Sequence, residues 1–308
     1  MTAIAPSADS YRGGNGDGSV GIDLGKTHIR FYSVLSGHVV KKAVLVNSRE
    51  PSESLEAVTQ YLESYKKKQN LDLVGIGAYG TVDRQKGVIL GSRSNPLWIN
   101  IPIVDIVRSA VEIEQVALVN DATAAAVGLW DRLRFSGESL AYVVVGTGVG
   151  LGVARNGEPG GGSGALFGSI GAIPVVGERT LSEVCGGRGI VERYSQLRGD
   201  QHEVLTASEI FGRVGLGDAN ALKVFREAVD ALAECLSWVA AVSDVDEIFV
   251  GGGVWTSSKE FRLEVSRSLQ GLNGTRSDSI GRLPLRTTRS SWDGARGALK
   301  VAKNLVKG

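Results

Sequence analysis

Val20-Gly21-Ile22-Asp23-Leu24-Gly25-Lys26-Thr27 is an apolar run that carries one aspartate and breaks at a glycine turn. A second strand-like run, Ile29 to Leu35, follows at once. Ser36-Gly37-His38 then leads into a third, Val39 to Val46. Glycine between two such runs reads as a hairpin. The same order returns at Ala141-Tyr142-Val143-Val144-Val145, where Gly146-Thr147-Gly148-Val149-Gly150 forms the turn and Leu151 to Ala154 the returning strand. Asn156-Gly157 is a further turn signal. Strand, glycine turn and strand therefore occur twice, as an internal duplication would produce.

Between and beyond these anchors, strands and helices alternate. Leu55, Val58, Tyr61, Leu62 and Tyr65 stand at helical spacing within 52–68, and Lys66-Lys67-Lys68 suits a helix C-terminus. A buried strand is expected at Leu73 to Ala78, then a loop through Pro102, a helix near 103–112, a strand at Val116 to Val119 and a helix from Ala122 to Trp130. Helices are expected over 181–240, with a strand at Glu247 to Val250 running into Gly251-Gly252-Gly253. The last segment, Gly294 to Val306, is helical in pattern. The pattern divides the chain into a polar tail at 1–18, an α/β domain at 19–121 completed by a helix at 294–308, and a second α/β domain at 122–293.

The chain has 308 residues, 43% hydrophobic and 22% charged, the balance of a soluble globular protein. A formal net charge of +1 supplies no field that would draw it to nucleic acid or an anionic membrane. Cys185 and Cys235 are too few for a disulfide framework. The sequence has no long apolar span and no basic-then-apolar leader, so cytoplasm is the expected compartment.

Glycine lets a backbone approach a phosphate and turn its N–H groups toward it. Three turns, at Gly25-Lys26-Thr27, Gly146 to Gly150 and Gly251 to Gly253, each follow an apolar strand, and ligands of α/β sheets collect at strand ends. The chain has no G-x-x-x-x-G-K-S/T run, so a P-loop is unsupported. Asp121 lies between a strand and an alanine-rich helix, where an aspartate serves either as an N-cap or as a base held ionised at a helix start.

In order and spacing these stretches resemble the ROK family (repressors, open reading frames and kinases) of actin-like, hexokinase-like ATPases, over nearly the whole chain from Val20. Ile22 to Thr27 resembles the first phosphate motif, D-x-G-G-T. Gly75 to Asp83 is similar to G-I-x-x-P-G-x-V-D, and Asn95-Pro96-Leu97-Trp98 to the sugar-side N-L-x-W. Asn120-Asp121-Ala122 matches the catalytic-aspartate stretch, Gly146 to Gly150 the second phosphate motif, and Gly251-Gly252-Gly253-Val254 the adenosine motif.

The resemblance implies two actin-like (ribonuclease H-like) α/β domains, each a mixed sheet flanked by helices, with the active site in the cleft between them. It implies ATP and Mg2+ as cofactors, a carbohydrate acceptor phosphorylated on a primary hydroxyl, and often a dimer or tetramer. Asp121 would be the catalytic base and Asp23 would lie by the metal. Gly25, Lys26, Thr27, Gly146, Thr147, Gly148, Gly150, Gly251, Gly252 and Gly253 would bind the nucleotide. Asn95, Asn120, Asp121, Ser169 and Ser182 would line the acceptor.

Four departures bear on function. The usual G-E-x-G-H stretch reads Gly168-Ser169-Ile170-Gly171-Ala172, and the L-E motif reads Leu181-Ser182-Glu183. The family's zinc run, C-x-C-G-x-x-G-C, is absent, so no zinc site is expected. Lys26 replaces a glycine; it could reach a phosphate or point to solvent. The first two changes remove charge-assisted bonds to sugar hydroxyls, worth roughly 1.5–3 kcal/mol each. An acceptor that differs from glucose near carbons 1 and 2 is therefore expected, such as an amino sugar, a cyclitol or an atypical hexose. Glu178 or Glu183 could supply new contacts there. A glucokinase, or a sugar or nucleotide sensor without catalysis, is the alternative. A repressor would require a helix-turn-helix unit, and the segment before the first strand is too short for one.

Overall fold

A computed structural model describes residues 18–35, 38–46, 50–93, 95–162, 165–199, 205–273 and 284–307. Of the tail expected at 1–18, residues 1–17 lie outside the described residues, as does Ser36-Gly37 of the expected turn. Gly18 is described, and its carbonyl accepts from the Asp72 N–H at 2.6 Å and the Leu73 N–H at 3.1 Å.

The chain forms two compact units, 1–131 with 292–308, and 132–291. In the first, strands β1 (Ser19–Leu24), β2 (His28–Leu35) and β3 (His38–Leu45) form an antiparallel meander. Helix α1 (Pro51–Lys66) leads to β4 (Leu73–Ala78). Three short strands, β5 (Thr81–Asp83), β6 (Val88–Gly91) and β7 (Ile99–Ile101), then form a small antiparallel sheet. The sequence pattern suggests only loop there, because strands this short carry too few residues to show alternation. Helix α2 (Ile103–Val111), β8 (Gln115–Asn120) and α3 (Asp121–Leu133) follow. The main sheet runs β3-β2-β1-β4-β8, with β4 parallel to both β1 and β8.

Alternation along β1 separates its two faces. Val20, Ile22 and Leu24 are fully buried in one core with Phe31, Val58, Leu62 and Ile76. Burying an aliphatic chain of this size contributes about 1.5–3 kcal/mol. The opposite face carries the C-terminal helix Asp293–Lys307. That helix lies so close that a Cβ on Gly21 would sit 2.0 Å from the Ala295 carbonyl oxygen, and one on Gly75 1.9 Å from that of Ala298. The helix also crosses α3 at Gly128 and Gly297, and an Arg296–Asp131 ion pair at 2.7 Å fastens the crossing. Helix α3 thus belongs to the first unit, and the units divide at Asp131/Arg132 rather than after residue 121.

The second unit repeats the plan. Strands β9 (Ser139–Val145), β10 (Val149–Arg155) and β11 (Glu158–Pro159) are antiparallel, and Asn156 and Gly157 take φ of 50° and 78° in the turn. A short 3-10 turn, Ser169–Ala172, precedes the hairpin β12 (Pro174–Val176) and β13 (Arg179–Thr180). Helices α4 (Leu181–Cys185), α5 (Gly187–Arg198), α6 (Ala207–Val214) and α7 (Ala219–Ser243) come next. Strand β14 (Glu247–Gly251), α8 (Gly253–Ser257), α9 (Lys259–Asn273) and β15 (Leu285–Thr287) complete the unit. The sheet runs β11-β10-β9-β14-β15, with β14 parallel to β9 and β15. Position for position, this is the order and direction of the first sheet. Its helical layer is pinned by the aromatic cluster Phe211, Phe225, Phe261 and Trp255. Among the described residues, no helix is long and apolar enough to cross a membrane.

Candidate active site

In the first unit the candidate residues gather at the ends of β1, β4 and β8. Asp23 stands on the C-terminal-helix face of β1, where Gly294 leaves room beside its carboxylate. Arg30 Nη1 is 3.4 Å from its Oδ2. Burial, reinforced by the charge of Asp121, pushes the Asp23 carboxyl up to about 7, against the pull of Arg30. A buried carboxylate whose proton affinity a second carboxylate raises, against a single arginine, leaves negative charge only partly neutralised, which fits a divalent cation held through one or two carboxylates.

Asp121 opens α3 but is not its cap. Asn120 fills that role, its Oδ1 accepting from the N–H groups of Ala122 at 3.0 Å and Thr123 at 3.3 Å. Asn120 Nδ2 donates to the Gly80 carbonyl at 3.0 Å. Asp121 Oδ1 accepts from the Ala122 N–H at 2.8 Å. Burial raises the Asp121 carboxyl, while the Ala122 N–H, the charge of Lys26 and a bond from Asn120 draw it back down. The carboxylate is thus half-buried, oriented, and opposed by only partial positive charge.

Lys26 directs its ammonium over the Tyr79 ring, 5.6 Å from the centroid, and acts electrostatically on Asp121. It thus lies on the candidate-site side of the Gly25–Thr27 turn. The turn itself is closed by Gly25 N–H donating to the His28 carbonyl at 3.2 Å, while the Thr27 carbonyl accepts from Val46 N–H at 2.9 Å. Tyr79 is a residue that sequence reasoning missed. It occupies the proline position of the Gly75 to Asp83 motif, and that substitution was the available signal. Its ring lies 5.2 Å from Trp98, its hydroxyl bonds Asn95, and burial pushes it up to about 12. Asn95 is 7% exposed, and its Oδ1 accepts from Leu97 N–H at 3.2 Å. It therefore does turn chemistry and holds the tyrosine together.

In the second unit, Gly146 N–H donates to the Gly148 carbonyl at 2.9 Å, a tight bend between β9 and β10. Gly150 lies beyond the bend, inside β10 opposite Val144. Gly251 ends β14, and Gly252, at φ +95°, packs so closely on Val145 that a Cβ there would be 2.4 Å from its carbonyl oxygen. A third glycine pair, which sequence reasoning passed over, joins them. Gly187 N–H donates to the Gly146 carbonyl at 2.8 Å, and Gly186 crowds Thr147 and Gly148. The Gly-Gly step opening α5 was visible in the sequence as Gly186-Gly187. At Gly146 and Gly253 the space a side chain would fill is open. Neutral glycine bends converging beside such space, with no carboxylate among residues 146–148 or 251–253, suit a polyphosphate.

The remaining acceptor-side expectations are placed differently. The Ser182 hydroxyl accepts the Val149 N–H at 3.0 Å. Glu183 closes a capping box on Thr180, accepting from its N–H at 2.7 Å and its hydroxyl at 2.8 Å. Glu178 is exposed on the β12–β13 turn. Ser169 opens the 3-10 turn, its N–H donating to Leu166. Cys185 is buried and donates to the Ala228 carbonyl at 3.4 Å. Among the described residues, no group of three or more His, Cys, Asp or Glu side chains is placed to hold a metal ion.

Two units with one strand order, each a mixed sheet flanked by helices, define the actin-like ATPase fold. The sequence profile of the ROK family matches residues 19–304, and the chain belongs to that family. A glucokinase of Halalkalibacterium halodurans is 27% identical over 265 residues, 76% of this chain and 80% of the relative. An N-acetylmannosamine kinase of Vibrio cholerae is 27% identical over 252 residues, 77% of this chain and 84% of the relative. The ROK hexokinase of Thermus thermophilus superposes with a TM-score of 0.78 at 25% identity, covering 94% of this chain and 99% of that one.

Proposed function

We propose that this chain transfers the γ-phosphoryl group of ATP to a primary hydroxyl of a hexose-like acceptor that differs from glucose at its carbon 1 and 2 end. The coarser statement, an ATP-dependent sugar kinase, follows from membership of the ROK family with kinases of two sugars among its curated relatives. The observation that carries the mechanistic reading is Asp121, half-buried at the start of a helix it does not cap.

Asp121 takes the proton of the attacking hydroxyl. It must be ionised to do so, and the helix start, the Ala122 N–H and the Lys26 ammonium favour the carboxylate against burial. The bond from Asn120 fixes its direction, so Asn120 acts on the acceptor side through Asp121 as well as through its own amide. Asn95 and Ser169 supply further polar groups for acceptor hydroxyls. Thr147, Gly148 and Gly251 to Gly253 present backbone N–H groups to the phosphates, Gly146 closing the bend through its own N–H to the Gly148 carbonyl, with Gly25, Thr27 and Lys26 forming the turn that is the first unit's share. Asp23 is the metal-side carboxylate. Mg2+ bound with the triphosphate supplies charge neutralisation, which together with positioning is most of what phosphoryl transfer requires.

The acceptor reading rests on residues 168–172 and 181–183. Ser169 and Ala172 stand where the family's pattern has glutamate and histidine; of the two carboxylates considered there, Glu183 is committed to its capping box and Glu178 is exposed on the β12–β13 turn. A carboxylate and an imidazole are thereby missing from the anomeric end. The decisive assay is ADP release with ATP, Mg2+ and a carbohydrate panel. Turnover of a 2-modified or otherwise non-glucose acceptor well above glucose is expected; equal turnover would return the chain to the glucokinases. Asp121→Asn should lower kcat by about 10²–10⁴-fold with nucleotide affinity retained, and a near-normal rate removes Asp121 from the mechanism. Tight ligand binding without ADP release from any acceptor would mark a sensor.

A further inference from the structure

Ser182 lies at a junction of three segments. Its hydroxyl accepts the N–H of Val149, the first residue of β10 after the glycine bend. A Cβ on Gly148 would approach that hydroxyl to 3.2 Å, so the bend rests directly on the serine. On its other side, a Cβ on Gly171 would meet the same oxygen at 2.3 Å and the Val149 carbonyl at 2.1 Å. The 3-10 turn Ser169–Ala172 therefore packs against the same point. Its backbone is tied to β10 one pleat further on, where Leu151 N–H donates to the Gly168 carbonyl at 3.1 Å. The Ser182 carbonyl in turn accepts Gly186 N–H at 3.0 Å, at the glycine pair beside Thr147 and Gly148.

From this we infer that Ser182 is a positioning residue of the nucleotide-side glycine bend and not a contact of the acceptor. The inference rests on the reading of Gly146 to Gly148 as the phosphate turn. The bend has few internal bonds of its own, and a glycine-rich backbone left to itself loses much conformational entropy on ordering. A hydroxyl that accepts the N–H at its exit fixes the direction of β10 and with it the attitude of the Gly148 peptide. A side chain on Gly148 or Gly171 would crowd the hydroxyl, so both glycines keep the junction open for it. The residue that replaced an acceptor-side carboxylate thus has a new task, and the acceptor end is read without it.

The test uses the full chain with Ser182→Ala. Calorimetry would measure Kd for a non-hydrolysable ATP analogue and for the acceptor identified by the carbohydrate panel, and hydrogen exchange would follow the Val149 amide. Removing the partner of this part-buried N–H and loosening the bend it anchors is worth enough to shift binding about tenfold. The expected result is therefore a rise of about tenfold in the analogue Kd, acceptor Kd unchanged within about twofold, and faster exchange at Val149. A purely structural serine would lower the unfolding temperature and leave both Kd values in place. Unchanged analogue affinity, or a loss confined to the acceptor, overturns the assignment. A wild-type chain that binds no nucleotide overturns the reading of the turn itself, and the assignment with it.

Discussion

The crossing of α3 and the C-terminal helix sets the most demanding test of how the first unit holds its carboxylates. A Cβ on Gly297 would lie 1.7 Å from the Ala124 carbonyl oxygen and 2.5 Å from the Gly128 nitrogen. Both are backbone atoms of α3, so no side chain can swing aside. Gly297→Ala must drive the helices apart by more than an ångström, against the buried Ala295, Ala298, Leu299 and Ala302 that fix the C-terminal helix on the sheet. Overpacking of a well-filled core costs typically 1–3 kcal/mol, and backbone contact on this scale belongs at the upper end. For a unit of this size about 3 kcal/mol corresponds to a fall in Tm of roughly 6–12 °C. Because α3 begins at Asp121 and the C-terminal helix leaves space for Asp23 at Gly294, kcat should fall as well. Gly212→Ala is the control. Gly212 is an exposed helical glycine with nothing within 4 Å of its would-be Cβ. That variant should gain about 0.4–1 kcal/mol. Calorimetric or fluorescence melts of both variants decide the matter. A Gly297→Ala protein with wild-type Tm would refute the argument from close approach.

Asp23 gives a pH-dependent prediction. Its folded-state proton affinity is raised to about 7, so the folded protein binds that proton more tightly than the unfolded chain. Stability from this group is full below about pH 4 and is lost as pH rises to about 7. Asp23→Asn should therefore raise the ligand-free Tm at about pH 8, by the equivalent of roughly 2 kcal/mol after loss of the Arg30 partner, and leave it nearly unchanged at about pH 4. A lower Tm at the higher pH would contradict this. The neighbouring glycines at the end of β14 should separate two effects. Gly252→Ala meets positive φ and the Val145 backbone, and should destabilise the protein by about 1–3 kcal/mol. Gly253→Ala meets open space, and should leave Tm in place while weakening binding of a non-hydrolysable ATP analogue. Unchanged affinity in Gly253→Ala would remove that bend from the nucleotide site.

The duplicated strand, glycine bend and strand were legible because hydrophobic alternation and glycine turns are local signals. They located both meanders, the Asn156-Gly157 turn and the strands ending at Ala78, Val119 and Val250. The glycines that serve packing were not legible. Gly21, Gly75, Gly128 and Gly297 admit a helix whose contact partners are distant in sequence, and nothing in local spacing separates such a glycine from one facing a ligand. The roles of polar residues were blurred for a similar reason. Asn120 and Asp121 are adjacent, both able to cap α3, and only the geometry shows that the asparagine caps and leaves the aspartate for other work. Ser182 and Glu183 could each have faced a sugar, yet one supports a strand N–H and the other closes a capping box. Tyr79 gave no signal through periodicity, since its partners come from two turns distant in sequence, Asn95 and Trp98 from one and Lys26 from the other.

The first unit is built from both extremities of the described chain, with residues 132–291 lying between its parts in sequence. On the ribosome this inverts the usual schedule. The second unit is continuous and has all its strands and helices before Trp292 is made. The first has its strands early but lacks the helix that covers Gly21 and Gly75 until the second unit has been made. The sheet that carries Asp23 therefore waits with one face bare while the whole of residues 132–291 is made.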